Sequence, residues 1–294
     1  MSQYQRLLLI INPLLRESAA INHAAALAKA SGARLHILAL IPSLDGLSLL
    51  ETGNRSQVRE AFLEEHRRTL EARAVNLRGR RIEVTTEVEW AADVEQRILD
   101  HVKAYEPDLL IKEIEQVSAL RRAFYTPLDW QLLRDCPVPV YLVGGSGYVL
   151  PRKVLAAVEI SDIESADNSL NEQIIRQASA LAIQCDAELH LLYACDISAA
   201  YLADMGGSPL AELTRSLRED LQKSFLRLAR HFGVASSQRH FVEGRPVTVL
   251  SEFADEQHVD VIVMGRVRNR GLSKWLGSTT EHILYQVPCC VLAV

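Results

Sequence analysis

Short, continuous apolar runs alternate along this chain with longer stretches of helical periodicity. Arg6-Leu7-Leu8-Leu9-Ile10-Ile11 is such a run, closed by Asn12-Pro13. A run with no polar alternation predicts a strand buried on both faces, as in a parallel sheet. Ala19 to Ser31 is rich in Ala and Leu and stops at Gly32, the signature of a helix and its end. Arg34 to Ile41 is the next strand, and a long helix with alternating charges is predicted from about Ser56 to Leu77. Ile82 to Val88 alternates as a strand, and Asp93 to Tyr105 is a helix carrying Val94, Ile98 and Val102 on one face. Leu109-Leu110-Ile111, a helix over Asp129 to Leu133, and Val138 to Val143 complete the order β-α-β-α-β-α-β-α-β.

The second half repeats the first. Leu27-Ala28 and Leu35-His36-Ile37-Leu38 return as Leu181-Ala182 and Leu189-His190-Leu191-Leu192, an offset of 154 residues. At the far end, Pro137-Val138-Pro139-Val140 is matched by Pro288-Cys289-Cys290-Val291 at an offset of 151. So small a drift indicates two copies of one domain separated by short insertions and deletions. The elements predicted for the second copy are strands at Lys153–Val158, Glu188–Ala194, Gln238–Val242, Val261–Met264 and Val291–Val294. Between them fall helices at Asn168–Cys185, Pro209–His231, Pro246–Glu256 and Thr279–Tyr285. Strands separated by helices of this length need right-handed crossovers and a parallel sheet covered on both sides. The expected architecture is α/β, two tandem domains at 1–147 and 148–294, each with five parallel strands and helices on both faces. Gly144-Gly145-Ser146-Gly147 reads as the hinge between them. The last strand of each copy is apolar and would lie at a sheet edge, which invites pairing. The two copies are therefore expected to associate within the chain as a pseudo-two-fold internal dimer; whether whole chains form a homo-oligomer, or take other protein partners, is left open.

Composition narrows the function classes. The chain has 294 residues, 48% hydrophobic and 23% charged, with a net charge of −5. These are the proportions of a globular protein, and an acidic balance speaks against general nucleic-acid binding. No apolar stretch reaches membrane-spanning length, and Met1-Ser2-Gln3-Tyr4-Gln5-Arg6 leads directly into the first strand without a signal-peptide pattern, so a cytoplasmic protein is expected. The five cysteines have no framework or zinc spacing and read as small buried thiols. No P-loop and no nucleophile elbow is present. The His residues are scattered, His36 and His190 hold equivalent strand positions, and no metal site is expected.

The segment with the strongest chemistry runs from Val261 to Glu281. A buried strand ends in Met264-Gly265, a loop follows with Arg266, Arg268, Arg270 and Lys274, and Gly277-Ser278-Thr279 opens a helix. Gly265 lets a ligand approach the backbone. The Gly277-Ser278-Thr279 turn offers N–H groups and hydroxyls at a helix N-terminus, an anion site. In open α/β sheets ligands bind outside the carboxyl ends of the strands. The combination suits a phosphate or a nucleotide. An ordinary N-cap with a solvated Arg cluster would leave the same pattern.

This segment resembles the signature of the universal stress protein family, a strand followed by Gly-x2-Gly-x9-Gly-Ser/Thr. The resemblance extends to Gly244-Arg245-Pro246 and to Pro288-Cys289-Cys290-Val291-Leu292. Thr126-Pro127-Leu128-Asp129-Trp130-Gln131-Leu132-Leu133-Arg134 in the first copy is similar to the tandem, two-domain members of that family. What the resemblance implies is a pair of Rossmann-like (adenine nucleotide alpha hydrolase-like) domains. It also implies a role in stress survival without defined catalysis, and binding of ATP or another adenine nucleotide, with magnesium. On that correspondence Gly265, Gly277, Ser278 and Thr279 match the phosphate and ribose contacts, with Met264 preceding them, and Ala194 falls where the family holds adenine. Three features depart from the pattern. Arg268 replaces the second glycine, eight residues instead of nine separate it from Gly277, and Glu159 stands where the family has an Asp. Arg268 either clamps a phosphate or fills the pocket.

The first copy lacks the motif. Its fourth strand runs into Lys112-Glu113-Ile114-Glu115, with no glycine and two carboxylates. Nucleotide binding is not expected there. The copy serves as a structural partner, or holds an apolar ligand near Phe124, Tyr125 and Trp130 if these aromatics are not simply core. Three readings stand for the whole: a non-catalytic nucleotide-binding stress protein, a ligand-free scaffold with a closed pocket, and a slow ATPase with Glu159 as base.

Overall fold

Ten strands and seven helices carry the described part of the chain, seen in a computed structural model that describes residues 4–13, 18–42, 52–115, 127–145, 148–160, 168–196, 210–266 and 283–294. They divide into two units, Met1–Val143 and Gly144–Val294. The first holds β1 (Arg6–Ile11), α1 (Ala19–Ser31), β2 (Arg34–Pro42), α2 (Thr52–Gly79), β3 (Val84–Ala91), α3 (Val94–Tyr105), β4 (Leu109–Glu113), α4 (Leu128–Asp135) and β5 (Val140–Val143). The second holds β6 (Lys153–Val158), α5 (Asn168–Cys185), β7 (Glu188–Cys195), α6 (Leu210–His231), β8 (Arg239–Glu243), α7 (Pro246–Glu256), β9 (Val261–Met264) and β10 (Cys290–Ala293).

Every strand pairs in parallel with its neighbours inside its unit. In the first unit the order is β3-β2-β1-β4-β5. In the second it is β8-β7-β6-β9-β10, the same topology. The continuous apolar runs are the central strands, as the pattern required: Leu7, Leu8, Leu9, Leu109, Leu110 and Ile111 are fully buried. So are Leu155, Ala156, Val261, Ile262 and Val263. Helices cover both faces. On β3, Thr86 bonds to Glu71 of α2, while Glu89 binds Arg97 of α3.

Two aspartates that stand just before the fourth strand of each unit set its level. Asp108 Oδ2 accepts the N–H groups of Gln5 (2.7 Å) and Arg6 (2.8 Å). Asp260 Oδ2 accepts those of Arg152 (2.8 Å) and Lys153 (3.0 Å). Each carboxylate ties the strand it precedes to the start of the first strand and satisfies donors that the ladder leaves unpaired.

Element ends differ from the sequence-based expectation where a partner strand decides them. β3 begins at Val84 and runs to Ala91, because its pairing with β2 extends from Leu35↔Val84 to Pro42↔Ala91. β5 starts at Val140: Pro139 has no N–H and enters the ladder only through its carbonyl, which accepts from Leu110. α2 is longer than expected at both ends. The helix expected over Thr279–Tyr285 lies largely outside the described residues, as do Ser146 and Gly147 of the expected hinge. All five cysteines are buried thiols, and burial pushes Cys185 up to about 12. Among the described residues no helix is long and apolar enough to cross a membrane.

Candidate functional site

A parallel sheet of order 3-2-1-4-5 has its crossovers diverge between strands 1 and 4, and the crevice at their carboxyl ends is where such folds take ligands. In the second unit that crevice lies between β6 and β9. The Val154↔Val261 pairing sets their level. Glu159 follows β6, is exposed, and is fixed through its backbone: its N–H donates to Asn171 Oδ1 (3.1 Å), and Asn171 Nδ2 donates to its carbonyl (2.6 Å). Asn171 sits on α5 and is buried, so the helix clamps the end of the strand and leaves the Glu159 carboxylate toward solvent. Ala194, half-buried, lies near the end of β7 opposite Val242. Met264 is buried at the end of β9 and Gly265 is half-buried after it. The structure thus brings Glu159, Ala194, Met264 and Gly265 to one edge of one sheet. Arg268, Gly277, Ser278 and Thr279 lie outside the described residues.

Gly265 has a packing reason of its own. A Cβ there would stand 2.8 Å from Leu170 Cδ2 of α5, closer than side chains tolerate. Tyr193 of β7, opposite Val158 of β6, packs against Phe225 and Phe241, and burial holds its phenol well above its usual range.

The corresponding crevice of the first unit is closed by charge. The Leu7↔Leu109 pairing matches Val154↔Val261, which makes Lys112 the counterpart of Met264 and Glu113 that of Gly265. Lys112 is buried, and its Nζ donates to Asp129 Oδ1 (2.8 Å) and to the Glu113 carbonyl (3.0 Å), with Glu115 Oε1 at 3.2 Å. Asp129, on α4, is fully buried and also accepts the Glu115 N–H at 2.9 Å. Glu113 accepts from Ser18 Oγ (2.7 Å), the residue before α1, and so sets a carboxylate at the helix end where an anion would otherwise be received. The sequence showed the missing glycine; it did not show that Lys112 is fully engaged by Asp129. Phe124 and Tyr125 lie outside the described residues, and Trp130 is half-buried on α4.

Sequence reasoning missed one constellation, because its members are far apart in the chain. His36 of β2, Glu87 of β3 and His101 of α3 place one ligating atom each within 4.8 Å of one another. The only sequence signal would have been the β2–β3 register.

A scan against protein-family models matches the universal stress protein family twice, over residues 3–144 and 152–294. The chain belongs to the universal stress protein family. Its similarity to curated relatives runs the full length. It is 28% identical to universal stress protein E of Photorhabdus laumondii, over 100% of this chain and 96% of the relative. It is 26% identical to the universal stress protein E homolog of Haemophilus influenzae, over 99% and 97%. Among solved structures, a putative universal stress protein from Pseudomonas aeruginosa UCBPP-PA14 superposes with a TM-score of 0.76 at 26% identity, covering 99% of this chain and 93% of that one. A functionally unknown protein from Pseudomonas aeruginosa PAO1 gives 0.77 at 25%, covering 99% and 92%. The chain is thus a tandem universal stress protein, α/β in both units, and a stress-response role comes with the family.

Proposed function

We propose that this universal stress protein is a non-catalytic binding module that takes an adenine nucleotide, with magnesium, in its second unit, while its first unit is a structural partner. The observation that carries the reading is the contrast at one register position. The first unit ends β4 in Lys112 and Glu113, locked to Asp129 and Ser18. The second ends β9 in Met264 and Gly265, with the exposed Glu159 at the adjoining strand end. The residues present fit such a ligand in part. Ala194 is small enough to leave room for a base, Glu159 offers a carboxylate for ribose hydroxyls, and Gly265 with Gly277-Ser278-Thr279 supplies backbone and hydroxyl donors for phosphates. Bound nucleotide would bring triphosphate charge that Arg268 can meet bidentately.

One observation favours the ligand-free scaffold instead: Leu170 already fills the space on the Cβ side of Gly265. Titration calorimetry with ATP and ADP in the presence of magnesium separates the two. Saturable binding, lost in Gly277→Val and kept in Lys112→Met, supports the nucleotide reading. Heats indistinguishable from buffer dilution refute it, and so does binding that survives Gly277→Val. Absence of product over hours in the same samples is the outcome expected of a protein that binds and does not turn over.

A further inference from the structure

We propose that His36, Glu87 and His101 form a binding site for a divalent transition metal of the zinc type, between β2–β3 and α3 of the first unit. The reasoning starts from register. His36 lies opposite Thr85, and Leu38 opposite Glu87. Thr85, Glu87 and Glu89 alternate onto one face of β3, and α3 packs over that face through Arg97 and Glu89. His101, one turn after Arg97, therefore meets His36 and Glu87 there.

The distances are close to those of a metal polyhedron. Glu87 Oε2 lies 3.6 Å from His36 Nε2 and 3.8 Å from His101 Nδ1. Tetrahedral zinc, with bonds of about 2.0–2.2 Å, places its ligand atoms about 3.3–3.5 Å apart. Both Glu87 separations are within a few tenths of an ångström of that spacing, and the three ligand atoms all lie within 4.8 Å of one another. Two histidines and one carboxylate are three protein ligands, which leaves a fourth position for water.

The outer partners are already in place. His36 Nδ1 lies 2.8 Å from Thr85 Oγ1, so that Nδ1–H donating to the hydroxyl leaves Nε2 with its lone pair toward the site. His101 Nε2 lies 3.4 Å from Glu89 Oε2, which turns Nδ1 inward. A carboxylate on the far nitrogen of a ligating histidine is the usual support of such sites. Glu89 is itself fixed by Arg97, whose Nη2 donates to Oε1 at 2.8 Å. The histidine side chains are 12–13% exposed and Glu87 is 41% exposed, so an ion can enter from solvent.

The second unit supplies an internal control. Its residues at the same places are His190 on β7, His240 on β8 (opposite Leu192) and Phe253, the eighth residue of α7 as His101 is of α3. There the histidines bond to each other, His190 Nδ1 to His240 Nε2 at 2.9 Å, and His240 packs on Phe253. The same scaffold therefore accepts Phe where the first unit has His101.

The test is equilibrium dialysis and calorimetry of the tag-free full chain with zinc alone, and cobalt as a spectroscopic probe. One ion per chain is expected, with visible d–d bands and no near-ultraviolet thiolate charge-transfer band. His101→Phe and Glu87→Gln should each weaken uptake at least about 100-fold, and Thr85→Ala about 10-fold, while His240→Gln leaves it unchanged. Thermal unfolding confirms that each variant is folded; Glu87→Gln, at a partly exposed carboxylate, covers the case in which His101→Phe is not. No uptake by the unmodified chain overturns the proposal. Uptake retained in a folded His101→Phe or Glu87→Gln variant, uptake lost in His240→Gln, or a thiolate band in the cobalt spectrum does the same.

Discussion

Replacing Asp129 by alanine tests whether the closed crevice of the first unit is built as described. The substitution removes a fully buried carboxylate and leaves Lys112, with a side chain 7% exposed, short of its closest counter-charge. Breaking a buried pair by deleting one partner costs about 3–5 kcal/mol, because the survivor keeps its charge without the attraction that offset its desolvation. Here the lower end is expected, about 3 kcal/mol, since Lys112 Nζ retains the Glu113 carbonyl and Glu115. Lys112→Met installs the residue the second unit carries at this place and strands Asp129 instead, at a similar cost. The pair Lys112→Met with Asp129→Leu removes both charges, and a well-packed apolar pair in place of a buried ion pair is near neutral. The double variant should therefore be more stable than the two single costs sum to, by about 2 kcal/mol or more. Urea unfolding followed by tryptophan emission is the assay, because Trp90 and Trp130 both report on this unit. With a slope of about 2 kcal/mol per molar urea, the single variants should lower the midpoint by about 1.5 M. A cost below about 1 kcal/mol for Asp129→Ala, or additivity within about 0.5 kcal/mol, would refute the idea that these groups act as one buried unit.

Gly244 has φ +142° and a Cβ would meet Val249 Cγ2 at 2.8 Å, so Gly244→Ala should cost about 1–3 kcal/mol. Gly79→Ala, with nothing within 4 Å, should change stability by less than about 0.5 kcal/mol, and equal effects would show that crowding at Gly244 is not the cause. Burial, with His190 and Lys153 nearby, lowers His240 to about 4. The unfolded chain then binds the extra proton between the ordinary histidine value and about 4, so stability is full above pH 6.5 and falls through that window. The loss is about 1–2 kcal/mol after allowance for partial exposure. His240→Gln should flatten that part of the pH profile, and an unchanged slope would assign it to other groups. Residues 150–294 expressed alone present β10 as the end of a sheet, and an apolar edge favours pairing. Sedimentation should give a homodimer, and a stable monomer would count against the β10 edge as a pairing surface.

The fold was legible because its signals are local. The uninterrupted runs Leu7–Ile11 and Val261–Met264 read as strands covered on both faces, and the helices expected over Asp129–Leu133 and Pro246–Glu256 are present as Leu128–Asp135 and Pro246–Glu256. The repeat then fixed two copies of one topology, and in parallel strands the ends that lead into Glu159, Ala194, Met264 and Gly265 share the carboxyl edge. Element ends were less legible: β3 is bounded by its partner β2 and not by its own alternation. The sequence by itself determined the duplication, the parallel sheets, and the loss of the glycine loop in the first copy. Only the tertiary structure decided that Lys112 is neutralised by Asp129 and that Leu170 crowds Gly265. It alone brought His36, Glu87 and His101 together. The physical reason is range. Burial and periodicity are written within a few residues of each position, whereas an ion pair or a ligand cluster depends on strand register and helix packing between segments tens of residues apart.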